Sequence, residues 1–184
     1  NGGFLGLVAE EAALSADPEG RALESLHLRY LRPVRTGPAV ARAEVRDGVG
    51  PNGDWCIDFH QRFDLNDGAR ACRGIEEFQP YFVEDPVRDE HALQDLPKLR
   101  QMTTVPLTHG EEWGHRYDFN KLVENHDIDY IRATLPNVGG ITEMMKIAAI
   151  CETHAVGIVP HFTGPIATAA LVNCLSTFSG PLMM

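Results

Sequence analysis

The chain has 184 residues and a mass of 20.3 kDa, which is enough for one well-buried core but short of the ~250 residues of a complete eight-unit βα barrel. Its hydrophobic fraction of 43% and charged fraction of 23% exclude an intrinsically disordered chain. A formal net charge of −10, with Lys and Arg scattered along the sequence, excludes an electrostatic surface for nucleic acid or anionic membranes.

The first section of the chain has the pattern of one helix followed by two antiparallel strands. Apolar residues recur near helical spacing over residues 3–16, and a turn follows at 17–20. Alternation of apolar and polar residues then predicts strands over 26–30 and 39–45. This order of elements is typical of an α+β fold.

After a Gly-rich stretch at 47–53 the pattern changes to short apolar strands that alternate with amphipathic helices. Such alternation predicts a parallel sheet with crossover helices, which is an α/β fold. The predicted strands are Trp55–Phe59, Tyr81–Val83, Val105–Thr108, Tyr130–Ala133 and Val156–Pro160.

Polar residues follow these strands at a regular interval. Asp58, Glu84, Glu111, Thr134 and His161 are separated successively by 26, 27, 23 and 27 residues, which is about the length of one βα unit. They therefore occupy equivalent places on successive strands. We expect them at the carboxyl-terminal rim, where barrel enzymes keep their catalytic groups.

Three of these rim residues are acidic. Asp58, Glu84 and Glu111 would repel one another in a confined site unless a cation lay between them. Oxygen ligands alone suit a hard ion, so the sequence predicts a Mg²⁺ site. A single acidic residue at a strand end is usually solvated and inert, and the shared interval is what favours a site.

Two histidines are candidates for acid–base chemistry. His60 follows Asp58 by two residues, so an extended backbone would point both side chains to the same face, beside the metal. His161 ends the last predicted strand and precedes a helix start at Pro165. The alternative for each is a hydrogen-bonded rim residue. Surface or structural positions are expected for His27, His91, His109, His115, His126 and His154.

The cysteines give no sign of a redox or metal site. Cys56, Cys72, Cys151 and Cys174 are widely spaced, and four buried thiols are the expectation. The sequence also contains no apolar run of the length that crosses a membrane and opens with no signal segment. A cytoplasmic location is expected.

Five ordered motifs in the second section resemble a known family. They are similar to the barrel domain of the mandelate racemase branch of the enolase superfamily, with acid-sugar dehydratases of the galactonate dehydratase type as the nearest members. The resemblance covers residues 49–184. The motifs are Cys56–His60, Tyr81–Pro86, Gly110–Glu112, Asn137–Glu143 and Pro160–Pro165.

This resemblance implies a partial (β/α)₈ barrel containing strands three to seven and the start of strand eight. It implies that Asp58, Glu84 and Glu111 bind Mg²⁺, which also holds the carboxylate of a small-molecule substrate. His60 and His161 would act as acid and base. Removal of the proton α to the carboxylate would then lead to dehydration or epimerisation of an acid sugar or another hydroxy acid.

The sequence departs from the family pattern at two rim positions. Thr134 stands where relatives carry an Asp that orients the seventh-strand histidine, so we expect His161 to be a weaker base with a less defined tautomer. Glu112 stands where an Arg is usual. The resemblance also leaves out two barrel strands and the capping domain that selects substrate, so impaired activity is expected.

Residues 1–48 resemble a different family. The helix and two strands of this section look like a fragment of a hotdog-fold acyl-CoA thioesterase, which divides the chain into 1–48 and 49–184. An alternative function is therefore a thioesterase with Glu10 or Glu11 near the thioester. A further alternative is a non-catalytic, chimeric or incomplete chain. Whichever function is correct, the open edges of a partial barrel favour association of the chain with a second copy of itself.

Overall fold

The computed structural model describes residues 55–182, which form a five-stranded parallel sheet with helices between the strands. Neighbours in the sheet are also neighbours in sequence, and every pairing is parallel. The strands are β1 (Cys56–Asp58), β2 (Phe82–Glu84), β3 (Leu107–His109), β4 (Tyr130–Ile131) and β5 (Gly157–Ile158).

The helices lie between successive strands, and the last of them follows β5. Each predicted strand boundary lies within two residues of the observed one, and the predicted parallel α/β arrangement is confirmed. Leu182 forms a parallel bridge with Ile158, at the place expected for the start of strand eight. The helices are α1 (Leu65–Ile75), α2 (Ala92–Arg100), α3 (Arg116–Glu124), α4 (Ile141–His154) and α5 (Pro165–Leu175), with 3₁₀ turns at Glu76–Phe78 and Asp89–His91.

Several predictions concern residues that lie outside the described part of the chain. They include the helix at 3–16, the strands at 26–30 and 39–45, and the thioesterase residues Glu10 and Glu11. The division of the chain at residues 48 and 49 stays a prediction for the same reason.

Local sequence signals explain where the helices begin. The carboxylate of Asp64 accepts hydrogen bonds from the backbone N–H groups of Asn66 and Asp67, and so caps α1. Asp118 caps α3 from its first turn by accepting from the N–H of His115. Pro165 is the first residue of α5, where a missing N–H costs no hydrogen bond.

The two faces of the sheet have different surroundings. One face packs against the helices and forms the apolar core, to which Val83, Leu107, Ile131 and Ile158 contribute. The alternate residues point to the opposite face, here called the inner face. That inner face carries Asp58 and Glu84, paired directly across β1 and β2. Within residues 55–182, no helix has the length and apolarity that crossing a bilayer would require.

The expectation of four buried thiols is wrong for one of them. Cys72, Cys151 and Cys174 are buried free thiols, whereas Cys56 is exposed. Cys56 is two residues from Asp58 on β1, so alternation places its side chain on the inner face rather than against the helices. In the described residues β1 pairs only with β2, which leaves that face open at Cys56.

On the inner face of the sheet, the Tyr130 ring requires a glycine on the next strand. Tyr130 on β4 pairs with Gly157 on β5 and packs near the rings of Tyr81 and Phe82. A Cβ atom at position 157 would overlap the Tyr130 ring and lie 3.0 Å from the carbonyl oxygen of Pro181. The ring therefore fills the space that a side chain on β5 would otherwise occupy.

Replacing this glycine should destabilise the fold. We expect Gly157→Ala to lower the free energy of unfolding by about 1–3 kcal/mol, because the Tyr130 ring has to shift. Gly74→Ala is the matched control: this exposed glycine lies inside α1 with no neighbour near its Cβ position, so alanine should stabilise by about 0.5–1 kcal/mol. Urea unfolding followed by circular dichroism measures both. A Gly157→Ala protein as stable as the unaltered chain would contradict the packing described.

Candidate functional site

The predicted metal ligands lie at one edge of the sheet. Asp58 and Glu84 are the last residues of β1 and β2, and they face each other in the register of these strands. Glu111 follows the end of β3 by two residues. All three therefore lie at the carboxyl-terminal ends of neighbouring parallel strands, which is the edge where α/β enzymes bind their ligands.

The carboxylates form two overlapping groups rather than one trio. Oxygens of Glu84, Asp85 and Glu111 lie within 4.8 Å of one another. A second group, with the same separation, contains Asp58, His60 and Asp85. Asp85 is common to both groups, and Asp58 stands on the solvent side of the cluster with its side chain 46% exposed.

Asp85 is a site residue that the sequence analysis missed. Alternation along an extended strand would turn its side chain away from that of Glu84. The backbone of Asp85 instead has a φ of 46°, so the strand ends there and the carboxylate joins the cluster. The signal available in the sequence was its place in Glu84-Asp85-Pro86, directly after a strand and before a proline.

Burial and mutual repulsion disfavour the ionised carboxylates. Burial is the largest cause that raises the pKa of Glu84 to about 7; Asp58, Asp85 and Glu111 raise it further, while Arg132 opposes them. Burial also raises the pKa values of Glu111 and Asp58 above their usual range. In addition, the Oδ1 atom of Asp85 is buried without a hydrogen-bond partner among the described residues. These carboxylates therefore lack the positive charge that would keep all of them ionised.

His109 supplies part of the missing charge from behind the cluster. It lies fully buried on the helix-facing side of β3, with Nδ1 3.0 Å from Asp85 Oδ1 and Nε2 3.2 Å from Asp89 Oδ1. The first contact is an ion pair without the alignment of a hydrogen bond. Burial acts to lower the pKa of His109, but the two aspartates raise it to about 9. The prediction of a structural histidine is thus consistent with its position, although the sequence did not indicate its contact with the site.

The charges of the site leave room for one divalent cation. With Asp58, Glu84, Asp85 and Glu111 ionised the cluster carries four negative charges, which Arg132 opposes with one positive charge and protonated His109 with one that it shares with Asp89. At least two negative charges remain, and they favour a divalent cation such as Mg²⁺. A donor set made of carboxylate oxygens also suits this ion, so the residues present fit the metal that was predicted.

The two predicted acid–base histidines lie on either side of Glu111. The Nδ1 atom of His60 is 3.4 Å from Glu111 Oε1 and 3.6 Å from Asp58 Oδ2, and its ring is mostly exposed. The Nε2 atom of His161 is 3.5 Å from Glu111 Oε2. His60 reaches the cluster from a turn with a φ of 48°, and not from the extended backbone that was assumed. The structure nevertheless brings both rings to the carboxylates.

Thr134 determines the tautomer of His161. Its hydroxyl group donates to the carbonyl oxygen of Glu111 at 2.6 Å, so its only hydrogen is used there. The contact of 2.8 Å between the Thr134 hydroxyl and His161 Nδ1 must then be donated by the imidazole. A neutral His161 consequently carries its proton on Nδ1 and has a lone pair on Nε2, facing the carboxylates.

The expected weakness of His161 is therefore corrected in one respect. Thr134 orients the ring and selects a tautomer, which was expected to be undefined. However, a hydroxyl group carries no negative charge, so it does not stabilise the imidazolium that forms when Nε2 accepts a proton. The other unusual position, Glu112, is exposed and its side chain lies outside the cluster.

An apolar pocket lies beside the cluster. Its volume is about 640 Å³, and it opens between the first turns of α4 and α5. Its lining consists of glycine, threonine and apolar residues without a titratable side chain. Chemistry that moves protons must therefore take place at the carboxylates and histidines and not in this pocket.

Comparison with known proteins identifies relatives of most of the chain. The Enolase C-terminal domain-like family matches residues 10–184. The D-galactonate dehydratase of Xanthomonas oryzae pv. oryzae is 40% identical over 132 residues, which are 71% of this chain and 34% of that protein. The D-galactonate dehydratase of Verminephrobacter eiseniae is 37% identical over 138 residues, 74% of this chain and 35% of that protein. The chain thus spans about a third of the length of these curated relatives.

Solved structures give the same result. The 3,6-anhydro-D-galactonate cycloisomerase from Zobellia galactanivorans superposes with a TM-score of 0.67 and 31% identity, over 76% of this chain and 40% of that one. A mandelate racemase/muconate lactonizing enzyme-like protein from Rubrobacter xylanophilus superposes with a TM-score of 0.69 and 31% identity. The match covers 74% of this chain and 35% of that one. None of these matches supports a hotdog fragment in residues 1–48, and the family match covers most of that section.

The pKa values of this site predict how stability depends on pH. Without metal, folded Glu84 keeps a proton up to about pH 7, whereas an unfolded glutamate releases it near 4.5. Folded His109 keeps a proton up to about pH 9, against 6.5 when unfolded. In both pH ranges, about 4.5–7 and 6.5–9, the folded state binds more protons than the unfolded state. The free energy of unfolding is therefore greatest below these ranges and falls as pH rises through them.

We therefore expect the melting temperature in EDTA to fall steadily from pH 5 to pH 9. Glu84→Gln should reduce the fall in melting temperature between about pH 4.5 and 7, and it should leave the fall that His109 causes at higher pH. Mg²⁺ should raise the melting temperature more at pH 8 than at pH 5.5, where protons compete for the carboxylates. Differential scanning calorimetry measures this. A melting temperature that rises with pH in EDTA would be inconsistent with these assignments.

Proposed function

The chain belongs to the Enolase C-terminal domain-like family, and we propose that it carries the metal and acid–base groups of an enzyme that removes the proton α to a carboxylate. The substrate would be an acid sugar or another hydroxy acid, and the outcome dehydration or epimerisation. One observation carries this proposal: buried carboxylates converge at the ends of adjacent parallel strands with two imidazoles within 3.6 Å of them. A structural role for the cluster would not require so much unneutralised charge.

Asp58, Glu84 and Glu111 are the proposed Mg²⁺ ligands. Each comes from the end of a different neighbouring strand, so a cation bound at this edge of the sheet would draw the three carboxylates together. Asp85 is held by His109 and is proposed to add negative charge from behind. When bound, Mg²⁺ supplies positive charge that stabilises the negative charge developing on the substrate carboxylate as its α-proton leaves.

His161 is the proposed base. Thr134 fixes its proton on Nδ1 and so leaves the Nε2 lone pair facing the cluster, ready to accept a proton from a substrate held there. The sequence alone predicted that His161 would be a weak base with a less defined tautomer, because an Asp partner is missing. The hydrogen bonds of Thr134 favour His161 as the base.

His60 is the proposed acid. It lies on the opposite side of Glu111 from His161, so the two rings can serve the two faces of a bound substrate. Its exposed ring can regain a proton from solvent after delivering one to a departing β-hydroxyl group. Removing the α-proton and protonating the leaving hydroxyl group are then the tasks of separate residues.

The α-proton reaction can be measured without net turnover. The chain with Mg²⁺ in deuterated water should exchange the α-proton of D-galactonate or a related acid sugar, followed by NMR. Glu84→Gln should abolish both exchange and Mg²⁺ binding by calorimetry, because it removes one carboxylate ligand. Glu112→Gln is the matched control, since this neighbour of Glu111 is exposed and outside the cluster, and it should preserve both.

The same assay should distinguish the roles of the two histidines. His161→Ala should remove exchange, whereas His60→Ala should slow net dehydration more than exchange. Failure of a panel of acid sugars to exchange between pH 6 and 9, in protein that binds Mg²⁺, would rule out the proposed chemistry and leave a metal-binding protein. Exchange that survives His161→Ala but not His60→Ala would reverse the two roles.

A further inference from the structure

Arg132 connects two parts of the site that lie on different strands. It follows β4 directly, and its side chain crosses the inner face of the sheet. Its Nε atom lies 2.5 Å from Oε1 of Glu84 at the end of β2, an ion pair without the alignment of a hydrogen bond at Nε. Its Nη1 group donates to the carbonyl oxygen of Pro160, the residue before His161, at 3.2 Å. One guanidinium group therefore contacts a proposed metal ligand and the backbone that carries the proposed base.

We infer that Arg132 is a positioning residue that sets the orientation of Glu84 for a divalent cation and the placement of His161 relative to it. The inference rests on the proposed function, since it concerns how the proposed metal ligand and base are held. It adds a residue that the strand-end pattern did not identify.

The chemistry of arginine suits this position better than that of lysine. A guanidinium group is planar and presents several donors in fixed directions, so it can hold a carboxylate and a carbonyl oxygen at the same time. An ammonium group is a single point charge on a flexible chain.

The contact leaves Glu84 able to bind a metal. Arg132 occupies Oε1, and the second oxygen of the carboxylate remains for a cation. Glu84 is 6% exposed and has three other carboxylates near it, so without Arg132 it would be a buried acid with no cationic partner beside it. Removing Arg132 takes away the charge that opposes the repulsion of these neighbours, and the carboxylate of Glu84 would turn away from the position at which it could bind a cation.

The chain contains a matched control arginine at the other end of the sheet. Arg100 places Nη1 2.5 Å from Oδ2 of Asp129, and its Nη2 donates to the carbonyl oxygens of Thr103 and Val105. Its side chain is 20% exposed, against 21% for Arg132. Each arginine contacts one carboxylate and at least one backbone carbonyl oxygen, although the pair of Arg100 and Asp129 is also hydrogen-bonded. The contacts of Arg100 lie before β3 and β4, away from the carboxylate cluster. An effect that comes only from losing a partly buried arginine–carboxylate pair should therefore appear in the variants at both positions.

The experiment compares Lys and Gln at positions 132 and 100 in the full chain. Calorimetric titration with MgCl₂ should show that Arg132→Gln weakens Mg²⁺ binding by about 10- to 100-fold, the usual effect of removing a partner of a metal ligand. Arg132→Lys should recover part of the affinity, because it restores the charge, but not the rate of α-proton exchange, because the contact with Pro160 is lost. The Arg100 variants should lower the melting temperature and leave Mg²⁺ affinity unchanged.

Hydrogen exchange of backbone amides adds a readout that needs no metal. The N–H group of His161 donates to Ala133, and that of Phe59 donates to Glu84. Arg132→Gln should increase exchange at both amides relative to the rest of the sheet, whereas Arg100→Gln should not.

Three outcomes separate this inference from the proposed function. Unchanged Mg²⁺ affinity in Arg132→Gln, with an unaltered chain that binds Mg²⁺, overturns the positioning role and leaves the proposed metal site intact. Equal losses of affinity in the Arg132 and Arg100 variants also overturn it, since the effect is then one of general stability. Absence of Mg²⁺ binding in the unaltered chain overturns the proposed function itself and the inference with it.

Discussion

The repulsion among four carboxylates at one edge of the sheet is the constraint on which the rest of the site depends. Glu84, Asp85 and Glu111 are buried and lie within 4.8 Å of one another, and Asp58 completes the cluster on its exposed side. Such a group is stable only with compensating positive charge. Arg132 approaches it from the inner face of the sheet and His109 from the helix side, and together they neutralise at most half of it. The protein therefore holds a negative pocket whose remaining charge suits a divalent ion.

The parallel topology explains why this concentration of charge arises. Each βα unit returns the chain to the same edge, so residues about 25 apart in sequence meet as neighbours in space. The cluster rests on an apolar layer of strands and helices that fixes the strand ends. Hydrogen bonds then set the details: Thr134 ties the loop of Glu111 to the ring of His161, and Asn137 donates to the same carbonyl oxygen of Glu111. The orienting hydroxyl group of Thr134 carries no charge, so the carboxylate that faces a protonated His161 is that of Glu111, 3.5 Å from Nε2.

The strand order and the rim positions were predictable because they follow from periodicity. The regular spacing of Asp58, Glu84 and Glu111 reflects the length of a βα unit, and the structure places all three at one edge. Asp85 was not predictable by the same rule, because it joins the cluster through a backbone φ of 46° that alternation does not anticipate. Arg132 and His109 were missed for another reason. Their roles come from contacts between strands, which no pattern along a single strand contains. The assignment of residues 1–48 to a hotdog fragment concerns a part of the chain outside residues 55–182 and has no support from the matched relatives.

The central claim is that the strand-end carboxylates enclose one metal ion, and a crystal structure of the chain grown with Mg²⁺ tests it most directly. The account predicts a single six-coordinate ion at about 2.0–2.1 Å from oxygens of Asp58, Glu84 and Glu111, with Arg132 still on the other oxygen of Glu84. Binding would draw the exposed Asp58 toward the buried pair, since the unliganded geometry groups Asp58 with Asp85 instead. Electron density without an ion at this edge, or an ion held by Asp85 with Asp58 left in solvent, would contradict it.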